Sequence, residues 1–330
     1  MDDPTFDVLG IGNAIVDVLA HAEDRFLVKH DLVKGAMALV DAERAQALYE
    51  DMGPAVEVSG GSAANTIAGI ALFGGRAAFV GKVANDELGR TFRHDIRASG
   101  VHYDTPALTN GAPTARSLIL ITPDAQRTMN TYLGASVELG PGDVDPELIG
   151  RAKVTYLEGY LWDPRRAKEA FRKALNAAHA RGRRVSLTLS DAFCVERYRA
   201  EFRELVEHHV DVLFANEAEI ISLYEARSFD EALQGARGHC EIAVLTRSEK
   251  GAVIVSNDEV HVIDAVKLGA VVDTTGAGDL FAAGFLYGLT QGFPLARSGR
   301  LGALAAAEII SHVGARPEKP LRPFIERSAA

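Results

Sequence analysis

A glycine-rich turn that carries a carboxylate, in residues 272–289, is the part of the sequence best suited to chemistry. Gly276 and Gly278 permit backbone conformations that other residues avoid, and an apolar helical pattern begins near Ala277. The free N–H groups and the dipole of such a helix start attract an anion, most often phosphate. Asp279 would repel that phosphate unless a hydroxyl lay between them, so the turn fits phosphoryl transfer with Asp279 as the base. The alternative is an ordinary strand-to-helix turn with a capping carboxylate.

A second glycine turn, at Gly60 and Gly61, also opens a helical pattern, with Ser62 as a candidate N-cap. The paired glycines would admit a ligand close to the backbone, or act as a hinge. Asn65, in the first turns of that helix, would present its amide to a ligand hydroxyl. A tight turn with a solvated Asn65 explains the segment equally well.

Asn13 and Asp17 follow the first apolar run of the chain. A dinucleotide-binding fingerprint starting at Gly10 would need a third glycine at position 15, where Ile15 stands, and no phosphate-binding G-x-x-x-x-G-K-[ST] motif occurs. Asp17 lies in the apolar run 14–20, where an unpaired carboxylate is costly to bury. Because a carboxylate accepts hydrogen bonds from vicinal hydroxyls, a sugar is its natural partner. Exposure on an edge strand is the alternative.

Three further segments could contact a nucleotide. Asn216 and Glu219 start a helix after an apolar run, where they either cap the helix or organise Mg²⁺ through water. Arg127 begins a strand-like segment and could neutralise phosphate charge. The polar turn from Thr246 to Gly251 suits a ribose or phosphate, although many surface turns look the same.

Composition limits the class of protein. The 330 residues are 47% hydrophobic and 24% charged, which is typical of a globular chain with a large core. The net charge of −10 argues against nucleic acid or an anionic membrane as the main partner. The N-terminus is acidic where a signal peptide would be basic, and no apolar run reaches 18 residues. With only two cysteines, at positions 194 and 240, a cytoplasmic location is expected.

Short apolar runs alternate with helical patterns, which predicts parallel βα units and a doubly wound, mainly parallel sheet with helices on both faces. The predicted strands are residues 7–10, 77–82, 154–158, 185–189, 212–215, 242–246 and 252–255. The predicted helices are residues 62–73, 88–99, 164–181, 195–208, 217–223, 230–237, 277–290 and 294–311. All of residues 1–330 are expected to form a single domain.

One region departs from this alternation. Residues 114–121 and 127–133 are strand-like and are joined by the turn sequence Pro123-Asp124-Ala125-Gln126. Residues 15–20 and 37–40 are candidates to pair with this hairpin. We expect the segments at about 13–41 and 112–134 to form a small β-sheet lid over the carboxyl edge of the main sheet.

Taken together, these segments resemble the ribokinase-like, PfkB-type family of ATP-dependent carbohydrate kinases over nearly the whole chain. DTTGAGDLFAAGF at residues 273–285 and GGSAANTIAGIALFGG at residues 60–75 match its two signatures. The resemblance implies that Asp279 is the base and that the amides of residues 276–278 form an anion hole. It implies that Asn13, Asp17, Gly60, Gly61 and Asn65 hold the acceptor, while Asn216, Glu219, Thr246, Gly251, Gly278 and Arg127 serve ATP and Mg²⁺. Asp273 and Thr275, with the loop around Gly314, are candidates to hold the K⁺ that some members use.

Within the family, the chain is most similar to members that phosphorylate the 5′-hydroxyl of adenosine, the acceptor that we expect. Ile15, Met37, Leu39 and Leu133 are apolar candidates to contact the base, and core packing explains each of them equally well. The alternatives are another nucleoside (inosine or guanosine), a free sugar (ribose or fructose), or a silent nucleoside- or sugar-binding regulator. Asp279 need not have a raised pKa, because an ordinary carboxylate can accept a proton late in a loose transition state. Monomer and homodimer remain open.

Overall fold

The computed structural model describes residues 3–124, 126–256, 259–317 and 319–329, so Ala125 of the predicted turn and the first two residues of the acidic N-terminus lie outside the described residues. The strands are β1 (Phe6–Ile11), β2 (Ile15–His21), β3 (Met37–Leu39), β4 (Ala55–Gly60), β5 (Ala77–Val80), β6 (Ala115–Ile121), β7 (Arg127–Tyr132), β8 (Ala152–Glu158), β9 (Arg184–Thr188), β10 (Val212–Asn216), β11 (Ile242–Thr246), β12 (Ala252–Ser256) and β13 (Val260–Ile263). The α-helices are α1 (Asp24–Lys29), α2 (Ala42–Asp51), α3 (Ser62–Phe73), α4 (Glu87–Ala98), α5 (Pro146–Gly150), α6 (Arg165–Ala180), α7 (Ala192–His208), α8 (Glu217–Tyr224), α9 (Phe229–Ala236), α10 (Ala277–Thr290), α11 (Leu295–Ile309) and α12 (Pro323–Arg327).

The large sheet has the order β13-β12-β11-β10-β9-β8-β1-β5. Its strands are parallel from β11 to β5, whereas β12 and β13 run antiparallel. The central strands are apolar because helices cover both faces, and this burial confirms the predicted α/β class. All seven predicted strands are present. β13 was not predicted, because Val260 and Val262 are exposed on this edge strand and too few residues alternate there to form a clear pattern.

The predicted helices are confirmed to within about three residues at each end, and α3 and α10 have the predicted bounds. Gly74 ends α3 with a left-handed φ of 96°, as the stop signal after that helical pattern predicted. The helices α1, α2, α5 and α12 were not predicted. Three of them are only five or six residues long, and α2 is a mostly polar surface helix.

A second, smaller sheet, called the small sheet below, has the order β3-β7-β6-β2-β4. The predicted hairpin is confirmed, since β6 and β7 pair antiparallel with Arg116 opposite Tyr132. The two candidate partners are confirmed as well, with β2 parallel to β6 and β3 parallel to β7. β4 is an addition to the prediction, and it pairs antiparallel with β2. The small sheet therefore includes residues 55–60 besides the two predicted segments.

The connections place the carboxyl ends of the parallel strands beside the small sheet. The chain leaves the large sheet after β1 to form β2, and it returns from β4 directly into α3. In open α/β folds this carboxyl edge is where ligands bind. Within the described residues no helix is both long and apolar enough to cross a membrane.

Candidate active site

A cavity of about 610 Å³ lies where the carboxyl ends of β8 to β11, the start of α10 and the small sheet meet. Most of the site residues predicted from the sequence line it: Asn13, Asp17, Gly61, Asn65, Asn216, Glu219, Thr246, Thr275, Gly276, Ala277, Gly278 and Asp279. Gly60, Arg127, Gly251 and Asp273 do not line it. The segments that carry chemistry in the sequence thus come together in one place.

Asp279 lies in the first turn of α10, and its carboxylate is held by two side chains of α3. Ser62 Oγ donates to Asp279 Oδ1 at 2.7 Å, and Asn65 Nδ2 donates to Oδ2 at 3.0 Å. Thr66 Oγ1 donates to the Asp279 carbonyl oxygen at 3.1 Å. The prediction of Ser62 as the N-cap of α3 is wrong, because Gly61 is the N-cap and Ser62 is the first helical residue, whose side chain orients this carboxylate. The two glycine turns found in the sequence therefore meet at Asp279.

Burial raises the pKa of Asp279, and the hydrogen bonds from Ser62 and Asn65 oppose this effect. The sequence did not require a raised pKa at this position. A carboxylate with a raised pKa is a stronger base for a hydroxyl proton. Burial therefore makes Asp279 a stronger base than an exposed aspartate would be.

The turn before α10 exposes backbone donors to the cavity. Gly276 is the N-cap and has a φ of 79°, a left-handed conformation that favours glycine. A Cβ built on Gly278 would meet nothing within 4 Å, so the backbone there is open to a ligand. The amide of Ala277 donates to the carbonyl oxygen of Thr274 at 3.2 Å, whereas those of Gly276 and Gly278 have no partner among the described residues. The turn thus has two backbone amides, those of Gly276 and Gly278, that no described residue engages, and the anion hole expected at residues 276–278 stays a prediction.

Arg316 is a component of the site for which the sequence suggested no role. Its Nε donates to Asn65 Oδ1 at 2.7 Å, which fixes the Asn65 amide with its nitrogen toward Asp279. One terminal nitrogen of Arg316 is buried without a hydrogen-bond partner among the described residues. Burial lowers the pKa of Arg316 to about 10, although the nearby charges of Asp17, Asp95 and Asp279 oppose the shift. Arg316 therefore remains a cation close to Asp279.

Glu158, at the end of β8, is a second residue that the sequence did not single out. Its carboxylate accepts from Asn13 Nδ2 at 2.6 Å and from the Ala63 backbone N–H at 2.9 Å. It is 1% exposed, and burial raises its pKa to about 7. Because Glu158 holds the nitrogen of the Asn13 amide, Asn13 Oδ1 remains without a partner among the described residues. That oxygen is available to a donor such as a substrate hydroxyl.

Asp17 lies on β2, facing the cavity, and accepts no hydrogen bond from the described part of the chain. Burial and the charges of Asp279 and Asp273 raise its pKa to about 7, whereas the charges of Arg316 and Arg127 lower it. A Cβ built on Gly60 would lie 2.4 Å from Asp17 Oδ2. Gly60 therefore makes room for this carboxylate and does not itself line the cavity.

Gly61 serves the fold in a similar way. Its φ is 95°, and a Cβ there would lie 2.2 Å from the Asn13 carbonyl oxygen. The glycine pair thus lets β4 turn into α3 closely against the β1–β2 connection. Gly60 and Gly61 were expected to admit a ligand. In the structure they make room for Asn13 and Asp17, which line the cavity.

Asn216 and Glu219 form a complete capping box at the start of α8. Asn216 Oδ1 accepts from the Glu219 N–H at 2.9 Å, and Glu219 Oε2 accepts from the Asn216 N–H at 3.0 Å. Glu219 nevertheless lines the cavity, and burial raises its pKa to about 7. A carboxylate with unused lone pairs beside an amide suits a hydrated Mg²⁺. Capping and metal binding are therefore compatible.

Arg127, at the start of β7, reaches from the small sheet to the turn before α10. One terminal nitrogen lies 2.5 Å from Asp273 Oδ2, and the other donates to Thr275 Oγ1 at 2.7 Å. Gly314 N donates to the same Asp273 oxygen at 2.8 Å. Arg127 thus lies beside the turn before α10 and contacts the two side chains that were candidates for K⁺.

The two ends of the turn from Thr246 to Gly251 have different roles. Thr246 lines the cavity at the end of β11. Gly251 lies in the turn between β11 and β12, where its φ is 84° and a Cβ would lie 2.0 Å from the Ile263 carbonyl oxygen. Gly251 is required by this turn and is not at the cavity.

Apolar side chains of the small sheet form one wall of the cavity, called the apolar wall below: Ile15, Met37, Leu39, Ile119, Met129 and Leu133. Met37 is 42% exposed and Leu39 is 51% exposed, so core packing does not account for these two. Tyr160 lines the cavity near the end of β8. An apolar surface next to polar groups can receive a ligand that has both a planar ring and hydroxyls.

Comparison with known proteins agrees with this geometry. The model of the pfkB family carbohydrate kinases matches residues 36–322. A probable sugar kinase from Rhizobium etli CFN 42 is 54% identical, with a TM-score of 0.94 and coverage of 99% of both chains. Adenosine kinase from Sinorhizobium meliloti is 55% identical, with a TM-score of 0.92 and coverage of 98% of this chain and 99% of that one. A 5-dehydro-2-deoxygluconokinase from Geobacillus kaustophilus is 27% identical over 280 residues, which are 81% of this chain and 83% of the relative. The chain therefore belongs to the pfkB family of carbohydrate kinases, ATP-dependent phosphotransferases that act on hydroxyl groups.

Proposed function

We propose that this kinase transfers the γ-phosphoryl group of ATP to the 5′-hydroxyl of adenosine, giving AMP and ADP. Its relatives include kinases of nucleosides and kinases of sugars. The observation that carries the choice is that the apolar wall faces a polar group formed by Asn13, Asp17 and Asp279 in one cavity. A nucleoside has an apolar base and a hydroxyl-bearing ribose in this same arrangement, whereas a free sugar would leave the exposed Met37 and Leu39 uncovered.

Asn13 and Asp17 provide acceptors for the ribose hydroxyls. Asn13 Oδ1 has no partner among the described residues, and Asp17 accepts no hydrogen bond from them. A ribose with two vicinal hydroxyls would supply donors to both groups and reduce the cost of burying them. The ribose would then direct its 5′-hydroxyl toward Asp279.

Asp279 orients the 5′-hydroxyl and accepts its proton as the bond to phosphorus forms. The free amides of Gly276 and Gly278 stabilise the charge on the transferred group. Ser62 and Asn65 keep the carboxylate in place, and Arg316 fixes Asn65 in turn. When bound, Mg²⁺ neutralises charge on the ATP phosphates, and Asn216 and Glu219 would hold it through water. The small sheet would act as a lid that excludes water, the competing acceptor.

A free sugar is the second candidate, since Asn13, Asp17 and Asp279 would serve its hydroxyls equally well. Sugar kinases are also among the relatives of this chain. A catalytically silent regulator is disfavoured because Asp279 retains its complete set of hydrogen-bond partners.

The test is ADP release with Mg-ATP against adenosine, inosine, guanosine, ribose and fructose in parallel. We expect selective turnover of adenosine. To connect the result to the apolar wall, Met37→Ser should raise the KM for adenosine and leave kcat little changed. Val28→Ser, which alters an exposed apolar residue outside the cavity, is the matched control. Preferred turnover of ribose or fructose would overturn the choice of acceptor.

A further inference from the structure

The contact between Arg127 and the turn before α10 joins the small sheet to the anion hole. Its guanidinium bridges Asp273 Oδ2 and Thr275 Oγ1, at 2.5 and 2.7 Å. The Arg127 side chain is 13% exposed and that of Asp273 is 1% exposed, so this is a buried ion pair. Thr275 directly precedes Gly276, which begins the anion hole.

The Asp273 carboxylate is already well supplied with donors. Oδ1 accepts from the Thr275 N–H at 2.9 Å, while Oδ2 accepts from Arg127 and from the Gly314 N–H at 2.8 Å. The carbonyl oxygen of Ile310, at the base of the same loop, accepts from the Val272 N–H at 2.8 Å. Asp273 thus joins the turn at Thr275 to the loop at Gly314. The positively charged guanidinium of Arg127 lies on its remaining side.

These observations do not fit a monovalent cation at Asp273 and Thr275, the site that the family resemblance implies. A cation that used these two oxygens would lie against the Arg127 guanidinium, a like charge in a place with little water to screen it. It would also compete for oxygens that already accept hydrogen bonds. The Asp273 and Thr275 oxygens are placed to accept from the guanidinium, which is planar and can bridge two acceptors.

We propose that Arg127 supplies from within the chain the positive charge that a monovalent cation supplies in related kinases, so that this kinase does not require K⁺. Arg127 is then a positioning residue for residues 273–278. Because it belongs to β7, its charge reaches the turn only when the small sheet is in place. The shape of the anion hole is thereby coupled to the position of the small sheet.

Thermal unfolding tests this in the absence of any acceptor. The full chain and its Arg127→Met variant are melted in KCl and in choline chloride at about 0.1 M, so that screening is equal. We expect the wild-type Tm to be the same in both salts. Arg127→Met exposes Asp273 to solvent cations, and its Tm should rise saturably with K⁺ by ligand linkage. Arg116→Met, which alters an arginine of β6 bonded to Gln46, should behave as the wild type.

Turnover of adenosine is the second measurement, and it rests on the proposed function. Arg127→Met should lose about 10- to 100-fold in kcat in choline, and K⁺ should restore part of that loss. Arg127→Lys keeps a charge at Asp273 and should remain independent of K⁺. If Arg127→Met does not fold, Arg127→Gln, which also removes the charge, takes its place. If adenosine is not a substrate but Arg127→Met is stabilised by K⁺, only the choice of acceptor fails.

Two results would overturn the inference. The first is a saturable stabilisation or activation of the wild type by K⁺, which would mean that a cation binds despite Arg127. The second is an Arg127→Met variant that folds but responds to K⁺ in neither measurement. The position would then have no need of a cation, and Arg127 would be an ordinary contact between the small sheet and α10.

Discussion

Replacing Asp279 by asparagine removes the proposed base and leaves nearly every atom of the site in position. The asparagine oxygen can still accept from Ser62 Oγ, the 2.7 Å bond of the wild type. Its nitrogen would then face Asn65 Nδ2, which is itself a donor, across the 3.0 Å that the wild-type bond spans. Asn65 cannot easily rotate its amide, because Arg316 holds its oxygen. Because the Ser62 hydroxyl can also accept, the new amide can instead turn its oxygen to Asn65 Nδ2 and its nitrogen to Ser62 Oγ. The cost should therefore be below that of two facing donors, about 1–3 kcal/mol.

A second effect acts in the opposite direction on stability. Burial raises the pKa of Asp279, which means that its charged form is unfavourable in the folded chain. Asparagine carries no charge and avoids this cost. We therefore expect the free energy of unfolding to change by no more than about 2 kcal/mol, the range of an ordinary substitution.

Turnover should fall far more than stability. A positioned general base contributes about 10²–10⁴ in rate, so kcat should drop by that factor. The KM for adenosine should change less, because Asn13 and Asp17 remain to hold the ribose. In the wild type, kcat/KM should rise with pH through the raised pKa of Asp279, and this limb should be absent from the variant.

The assay is the initial rate of ADP release at saturating Mg-ATP, with thermal unfolding by circular dichroism as the check on folding. Asp104→Asn is the control, since Asp104 is a largely exposed carboxylate paired with Arg97. A folded Asp279→Asn variant with turnover within about threefold of the wild type would refute the assignment of the base.

Three other predictions concern the surroundings of the base. The pKa of Glu158 is raised to about 7, so between pH 4.5 and 7 the folded state keeps a proton that the unfolded state has lost. The free energy of unfolding should therefore fall as pH rises through this range. Glu158→Gln cannot titrate and should reduce this fall by about 1–3 kcal/mol in denaturant unfolding. Glu219→Gln keeps an oxygen for the Asn216 N–H but places its amide nitrogen opposite Asn216 Nδ2, a donor that the wild-type carboxylate accepts from at 2.6 Å, so Tm should fall modestly. The Mg²⁺ concentration for half-maximal rate should rise about tenfold, and an unaltered Mg²⁺ titration would remove Glu219 from the metal site. Gly61→Ala should destabilise the chain by about 2 kcal/mol or more, since a Cβ would lie 2.2 Å from the Asn13 carbonyl oxygen. Gly182 also has a positive φ but no atom near its Cβ position, so Gly182→Ala should cost less. Equal losses in the free energy of unfolding would mean that strain in φ alone matters.

The sequence predicted the parts of the site that are local in the chain. Asp279 and the glycines beside it share one turn, and Asn216 and Glu219 form one capping box, so residue type and spacing are sufficient there. The sheet and its main helices were predictable for a related reason, since their apolar periods continue over many residues.

Contacts between distant segments could not be predicted in this way. Ser62 and Asp279 are 217 residues apart, and Arg316 lies 251 residues from Asn65. Glu158 ends a buried strand and is followed by Gly159, but no recognisable motif surrounds it to mark a functional role. β4 was missed because its first residues are exposed and its pairing with β2 depends on register. A buried charged residue at the end of a predicted parallel strand is the one signal that could have identified Glu158.

On the proposed function, the residues that would choose the acceptor lie on or beside the small sheet, whereas those that would perform the transfer belong to the large sheet and its helices. Ile15, Asp17 and Met37 belong to segments inserted between β1 and β5, whereas Asp279 and Glu219 belong to the helices of the large sheet. An insertion can change in length and side chains during evolution as long as β7 keeps Arg127 in contact with the turn before α10. Exchanging these inserts between homologues is therefore a practical way to engineer new acceptors onto one unchanged phosphoryl-transfer apparatus. The same division would allow one ancestral kinase to give rise to enzymes for both sugars and nucleosides.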